Sequence, residues 1–246
     1  RRPCQRRWAC GHVPPHPRPG GGLVRLSRWL GAASAAVLLL PVGSAAQDGA
    51  ADPRPEPGTI LEPGRYSSSL VGPSIDFRAT EGWLAGPPGD GPIFMLQHAD
   101  TPGGVLTITR FDGETYLDSC DASSMIVVDP SIARLGEIIG GNPYLNPGLP
   151  EIIDVDGHPG LVLDVGVPAY TECQLPWGVL IWALPTGEGG EFVQTAGQQS
   201  RFILLDVEGD VIVIAIETFP GAPFGAFLET SMELVETMRI EPGEYI

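Results

Sequence analysis

From Gly64 onward the chain alternates short runs of apolar residues with clusters of Gly, Pro and Asp. GRYSSS, SIDFRAT, PIFMLQH and GVLTITRF each have strand length and are bounded by turn residues, so each predicts a β-strand. Two longer segments, EIIDVDGHPGLVLDV and RFILLDVEGDVIVIAIET, place an acidic-Gly pair between runs rich in β-branched residues, the signature of a β-hairpin. In the second, VIVIAI is apolar at consecutive positions. Such a strand is buried on both faces, and something must cover each face of its sheet.

Helical spacing is clearest near the end of the chain. Phe224, Phe227, Leu228, Met232, Val235 and Met238 recur at three- and four-residue steps, with Glu229, Glu233 and Glu236 on the opposite face. A second, shorter helix is expected over DPSIARLGEII, with Asp129 as its cap, Pro130 at its first position and its end at Gly140-Gly141. NPYLNPGLP, which follows, reads as loop, and no repeat of fixed period emerges. The fold class expected is α+β: an antiparallel β-sheet with hairpins, packed against a C-terminal amphipathic helix and one shorter helix. It forms a single domain over residues 64–246.

Charge divides the chain at one point. Residues 1–46 hold seven Arg and no acidic residue, and the rest holds seven Arg against all 30 acidic residues, a net −23. Within the first stretch Arg25 and Arg28 precede the apolar run from Leu30 to Val42, which leads into Ser44-Ala45-Ala46. That is the layout of a secretory signal peptide cleaved after Ala46. The run is shorter than the roughly 20 residues of a membrane span, so no span is expected after cleavage. The long basic region ahead of it fits an over-extended N-terminus, with Val24 as the alternative start. Residues 47–63, dense in Pro, Gly and acid, read as a linker. The strong negative charge of the remainder disfavours nucleic acid and anionic lipid, whose recognition relies on basic residues.

Only Cys120 and Cys173 follow the leader, and in an oxidising compartment an even pair most simply means a disulfide. Candidate chemistry is thin. The same region has two His, His98 and His158, neither with a placed partner, and no G-x-S-x-G elbow. Zinc ligation by His98, Cys120, His158 and Cys173 lacks the short spacings such sites show, so no metal site and no cofactor is expected. Asp154-x-Asp156-Gly157 opens like a calcium loop, but Pro159 and Val165 stand where an EF-hand needs Gly and Glu. Loose surface binding of Ca²⁺ by clustered carboxylates stays an alternative.

Features that suit recognition gather in YLDSCDASS, NPYLNPG and PAYTECQLPWG. These bring Tyr116, Asp118, Asp121, Tyr144, Tyr170, Glu172 and Trp177 into loops, two of which the disulfide would hold together. Aromatic and acidic side chains on scaffolded loops build ligand sites, although Tyr and Trp also cap cores beneath long loops.

The order of landmarks is E-P-G-R-Y, S-I-D-F-R-A-T-E-G-W, a Cys, a short helix, D-x-x-G-x-P-G, a second Cys, L-D-V-x-G-x-V-I-V-I and a closing amphipathic helix. Over residues 60–241 it resembles a set of uncharacterised exported bacterial domains and, more distantly, the PsbP-like fold. The resemblance rests on turns and hairpins and implies a fold with an accessory or binding role; no functional residue carries over. The function expected is therefore a secreted or envelope, non-catalytic binding module whose partner is an extracellular protein or small ligand. The alternative is an extracellular acidic hydrolase using loop carboxylates.

Overall fold

The computed structural model describes residues 58–86, 93–170, 173, 175, 178–184 and 190–243. The leader and most of the linker lie outside the described residues. In chain order the strands are β1 (Gly64–Ser68), β2 (Ser74–Ala79), β3 (Trp83–Ala85), β4 (Ile93–His98), β5 (Gly104–Phe111), β6 (Glu114–Tyr116) and β7 (Met125–Val127). Helix α1 (Ile132–Gly140) precedes β8 (Asn146–Pro147), β9 (Glu151–Val155), β10 (His158–Gly166), β11 (Val179–Ala183), β12 (Glu191–Gln194), β13 (Gln199–Val207) and β14 (Asp210–Thr218). Helix α2 (Phe224–Val235) and β15 (Arg239–Glu241) follow.

The fold is α+β, and its strands pair antiparallel throughout. A large central sheet runs β3-β4-β5-β14-β13-β10-β8, with β9 also paired to β10. Both hairpins expected from the acidic-Gly pairs form as two-residue turns. Val155 pairs with His158 and Val207 with Asp210, while Asp156, Gly157, Glu208 and Gly209 all take positive φ. That backbone matches the twist of the flanking strands and explains the Gly at the second position of each turn. In each case the Asp two residues before the turn, Asp154 or Asp206, accepts a hydrogen bond from the turn Gly N–H at 2.8 Å.

β14 sits between β5 and β13 and is buried at every position from Val211 to Thr218. Each face has its cover. On one, Phe227, Leu234 and Val235 of α2 pack with Ile212, Ile214 and Ile216, and the small sheet β1-β2-β15 adds Ile75, Phe77 and Ile240. Gly104 makes room there, since a Cβ at that position would stand 2.7 Å from the Phe227 ring. On the other, Leu135 and Ile139 of α1 pack with Leu204 and Val213, beside the sheet β12-β11-β6-β7. In that sheet Trp182 stacks on Phe192 with ring centroids 4.1 Å apart.

Four details depart from the sequence reading. The cap of α1 is Ser131, whose hydroxyl accepts from the Arg134 N–H at 3.2 Å; Asp129 and Pro130 lie before it. Only a side chain at the residue just ahead of the first turn reaches those free N–H groups, and Asp129 is two residues too early. Helix α2 stops at Val235, and Met238 is buried from the turn beyond it. Asn146 and Pro147, read as loop, pair with Gly166 and Val165. Finally, the chain packs before the end of the expected linker. Gly58 N–H donates to Ala85 O at 2.8 Å, Leu61 N–H to Trp83 O at 2.8 Å, and Leu61 is buried.

Candidate functional site

The loop from Leu117 to Ser124 is built by its own polar side chains. Asp118 Oδ1 accepts from Cys120 N–H at 2.9 Å, and Asp121 caps a single 3₁₀ turn by accepting from the Ser123 N–H at 2.9 Å and hydroxyl at 2.7 Å. The Ser124 hydroxyl bonds back to Asp118 O at 2.9 Å and Asp121 O at 2.7 Å. These are the short-range bonds that Asp and Ser offer in place of regular structure. Three links then tie the loop to its surroundings. Leu180 N–H donates to Ser119 O at 2.9 Å, the buried Asn142 Nδ2 donates to Ser119 Oγ at 2.7 Å, and Cys120 is bonded to Cys173, with Cα atoms 5.2 Å apart.

Between this loop, β6 and α1 opens a cleft of about 460 Å³. Tyr116, Asp118 and Tyr144 line it, with Ser119 and Asn142 buried in its wall and Leu117 exposed at its mouth. Arg134 and Glu137, paired at 3.0 Å along α1, form the opposite rim. Tyr144 N–H donates to Asn142 Oδ1 at 3.0 Å, and its hydroxyl lies 3.5 Å from Asp118 Oδ1. Desolvation, helped by Glu191 and Glu114, raises the Tyr116 phenol above its usual pKa, so it stays a neutral donor. The volume falls in the range of small-ligand sites, roughly 300 to 1,000 Å³.

Of the residues singled out in the sequence, Tyr116, Asp118 and Tyr144 meet at this cleft. Asp121 faces solvent, and the Ser123 hydroxyl and N–H hold its carboxyl below the usual range. Tyr170 is 85% exposed and does not line the cleft. Glu172 and Trp177 lie outside the described residues.

The two described histidines, His98 and His158, both bond to the backbone. His98 packs edge-on against Trp83, donates through Nε2 to Glu81 O at 3.2 Å and accepts the Asp100 N–H on Nδ1 at 3.3 Å. His158 Nε2 donates to Ile240 O at 3.1 Å. Asp156, part of the expected calcium-loop pattern, accepts the Ile240 N–H at 2.8 Å and pairs with Arg239 at 3.3 Å. Among the described residues no three His, Cys, Asp or Glu side chains are grouped as metal ligands, and no helix is long and apolar enough to cross a membrane.

The sequence reading missed the most heavily perturbed acid. Glu217, at the end of β14, points between the central sheet and the β12 edge and is buried. Gln194 Nε2 and Gln198 Nε2 both donate to its Oε1, the latter at 2.8 Å, and the Thr107 hydroxyl also bonds to it. Gln194 Oε1 in turn accepts from Ser200 Oγ at 2.6 Å, and Gln198 Oε1 from the Thr195 N–H and hydroxyl at 2.8 and 2.9 Å. Burial pushes the carboxyl up to about 7, against the opposing pull of the Gln194, Thr107 and Gln198 donors. One available signal was alternation along β14, which puts Glu217 in line with the core-facing Val213 and Ala215.

No protein-family model and no curated protein matches the chain. Among solved structures it is similar to cyanobacterial PsbP (CyanoP) from Synechocystis sp. PCC 6803, at 11% identity over 80% of this chain and 98% of that one, with a TM-score of 0.38. That likeness is distant, and it extends to no ligand and no residue of the cleft.

Proposed function

We propose that this domain is a non-catalytic binding module acting outside the cytoplasm, and that the cleft between α1 and the Leu117–Ser124 loop holds a small polar ligand. The observation that carries the reading is the meeting of Tyr116, Asp118 and Tyr144 on one concave surface with the buried Ser119–Asn142 pair in its wall. Aromatic faces supply contact area, and a few fixed polar atoms supply orientation. The pattern of residues 1–46 and the Cys120–Cys173 bond favour an oxidising compartment.

Thermal-shift screening of small polar metabolites, repeated on Tyr144→Ala, tests this. A ligand at a hundred times its Kd stabilises a domain by about 2.7 kcal/mol, or roughly 5–10 °C here. Hits should shift the parent by that much and the variant by far less, and should be recovered chemically unchanged. Equal shifts in both proteins would exclude the cleft, and recovery of cleaved ligand would favour the hydrolase instead.

A further inference from the structure

The central sheet ends at β3 on one side and at β8 and β9 on the other. At β3 the chain covers its own edge: Ala85 N–H donates to Thr59 O at 2.9 Å and Leu61 N–H to Trp83 O at 2.8 Å. Along β10, Pro147 of β8 faces Val165 while Glu151 of β9 faces Val162, so the two registers differ by one residue. The extra residue makes a bulge at Leu149-Pro150, and a bulge with a Pro blunts that end of the edge. The stretch that follows is open. Among the described residues no strand and no backbone group pairs with the outer side of β9.

Register shows which groups are offered there. Val155 and His158 close a two-residue turn, so the alternation of an antiparallel ladder bonds Val155, Ile153 and Glu151 to β10 and turns the N–H and C=O of Ile152 and Asp154 outward. Pro159, which has no N–H to give, stands opposite Asp154 and fits that alternation. Ile153 and Val155 enter the core, whereas Ile152 is 89% exposed. Outward backbone groups beside an exposed β-branched side chain form a template for another strand.

Charge then defines the occupant. Exposed Glu151 and Asp154 have no ion-pair partner among the described residues; Arg201, near enough to Glu151 to feel its charge, is held by Asp164 at 2.6 Å. Opposite charges directly across a ladder stabilise it, and like charges do the reverse. A second copy of this chain brings the same acids and the same net −23, so it is repelled. An antiparallel segment with a basic residue opposite Asp154, a β-branched one opposite Ile152 and a basic one opposite Glu151 satisfies all three positions. In its own direction it reads basic, any, β-branched, basic. We propose that β9 docks an extended basic segment of this pattern from another protein, which joins the central sheet as a further antiparallel strand.

Fluorescence anisotropy with the full chain after residue 46 is the experiment. The probe is the capped, dye-labelled peptide Thr-Lys-Thr-Val-Lys-Thr, and its controls are Thr-Glu-Thr-Val-Glu-Thr and the basic peptide N-methylated at Val. The basic peptide should bind at least tenfold more tightly than either control. Ile152→Pro should weaken it tenfold or more without moving the melting temperature, because it removes an outward N–H and leaves the bonds to β10 in place. Absence of binding by the basic peptide would overturn the inference. So would equal binding of the acidic or the N-methylated peptide, or unchanged affinity in Ile152→Pro. Sedimentation that shows the chain alone dimerising, and Ile152→Pro abolishing the dimer, would overturn it in favour of a second copy.

Discussion

Glu217→Gln should make the domain more stable, and by an amount that depends on pH. The side chain is buried, so its charged form is costly; this is why burial holds its pKa at about 7 rather than 4.5. Between those values the folded state carries a proton that the unfolded state has lost. Stability contributed by the protonated carboxyl is therefore complete below about pH 4.5 and is lost as pH rises through about 7. Two and a half powers of ten in proton affinity amount to about 3 kcal/mol, a sizeable part of the roughly 5 to 15 kcal/mol that keeps a domain folded. Gln suits the site. Its carbonyl can accept from Gln194 and Gln198 as Oε1 does, and its amide can donate to the Thr107 hydroxyl, which can rotate to accept.

Urea titrations followed by Trp fluorescence, run on parent and variant from pH 4.5 to 8, isolate the effect, because the other carboxylates titrate in both proteins and cancel in the difference. The two proteins should agree within about 0.5 kcal/mol at pH 4.5 and diverge to about 3 kcal/mol at pH 8, the variant being the more stable. A difference that stays constant across the range would show that Glu217 does not carry the perturbed proton. A variant less stable at pH 8 would show that the Gln194 and Gln198 donors outweigh the desolvation cost.

Phe227→Ala should cost roughly 3 to 5 kcal/mol, since the ring is fully buried between Gly104 and Trp83. Glu233→Ala, on the exposed face of the same helix, should change stability by no more than about 0.5 kcal/mol, and denaturant melts of the two compare directly. Reducing the Cys120–Cys173 bond, which closes a sequence separation of 53 residues, should lower stability by about 4 kcal/mol in the chain-entropy account; melts with and without reductant measure it.

What could be read from the sequence was what depends on neighbours in the chain. The two hairpins followed from Asp156-Gly157 and Glu208-Gly209 because a two-residue turn is specified by its own backbone preferences. VIVIAI demanded two covers because a strand's alternation states which faces are wet, and α2 declared its buried stripe for the same reason. The cap of α1 was misplaced for a local cause too: Asp129 and Ser131 are both good caps, and only the position of the free N–H groups distinguishes them.

What could not be read depends on strands meeting across long separations. Tyr144 comes within 3.5 Å of Asp118 across 26 residues of chain, so the two could be named as candidates without being placed together. Tyr170 belonged to the same set by composition, yet its ring stands in solvent. Glu217 reads as a polar strand end, and it becomes a buried acid because Gln194 and Gln198, about 20 residues earlier, fold over it. The repulsive pairing of Arg65 with Arg78 is likewise set by the β1–β2 register, which no periodicity along either strand reveals. The positions where local preference and tertiary placement disagree are Glu217, whose carboxyl burial holds at a raised pKa, and the Arg65–Arg78 pair, like charges set opposite one another. Both arrangements cost stability, the first through desolvation of the charged carboxylate and the second through repulsion between like charges.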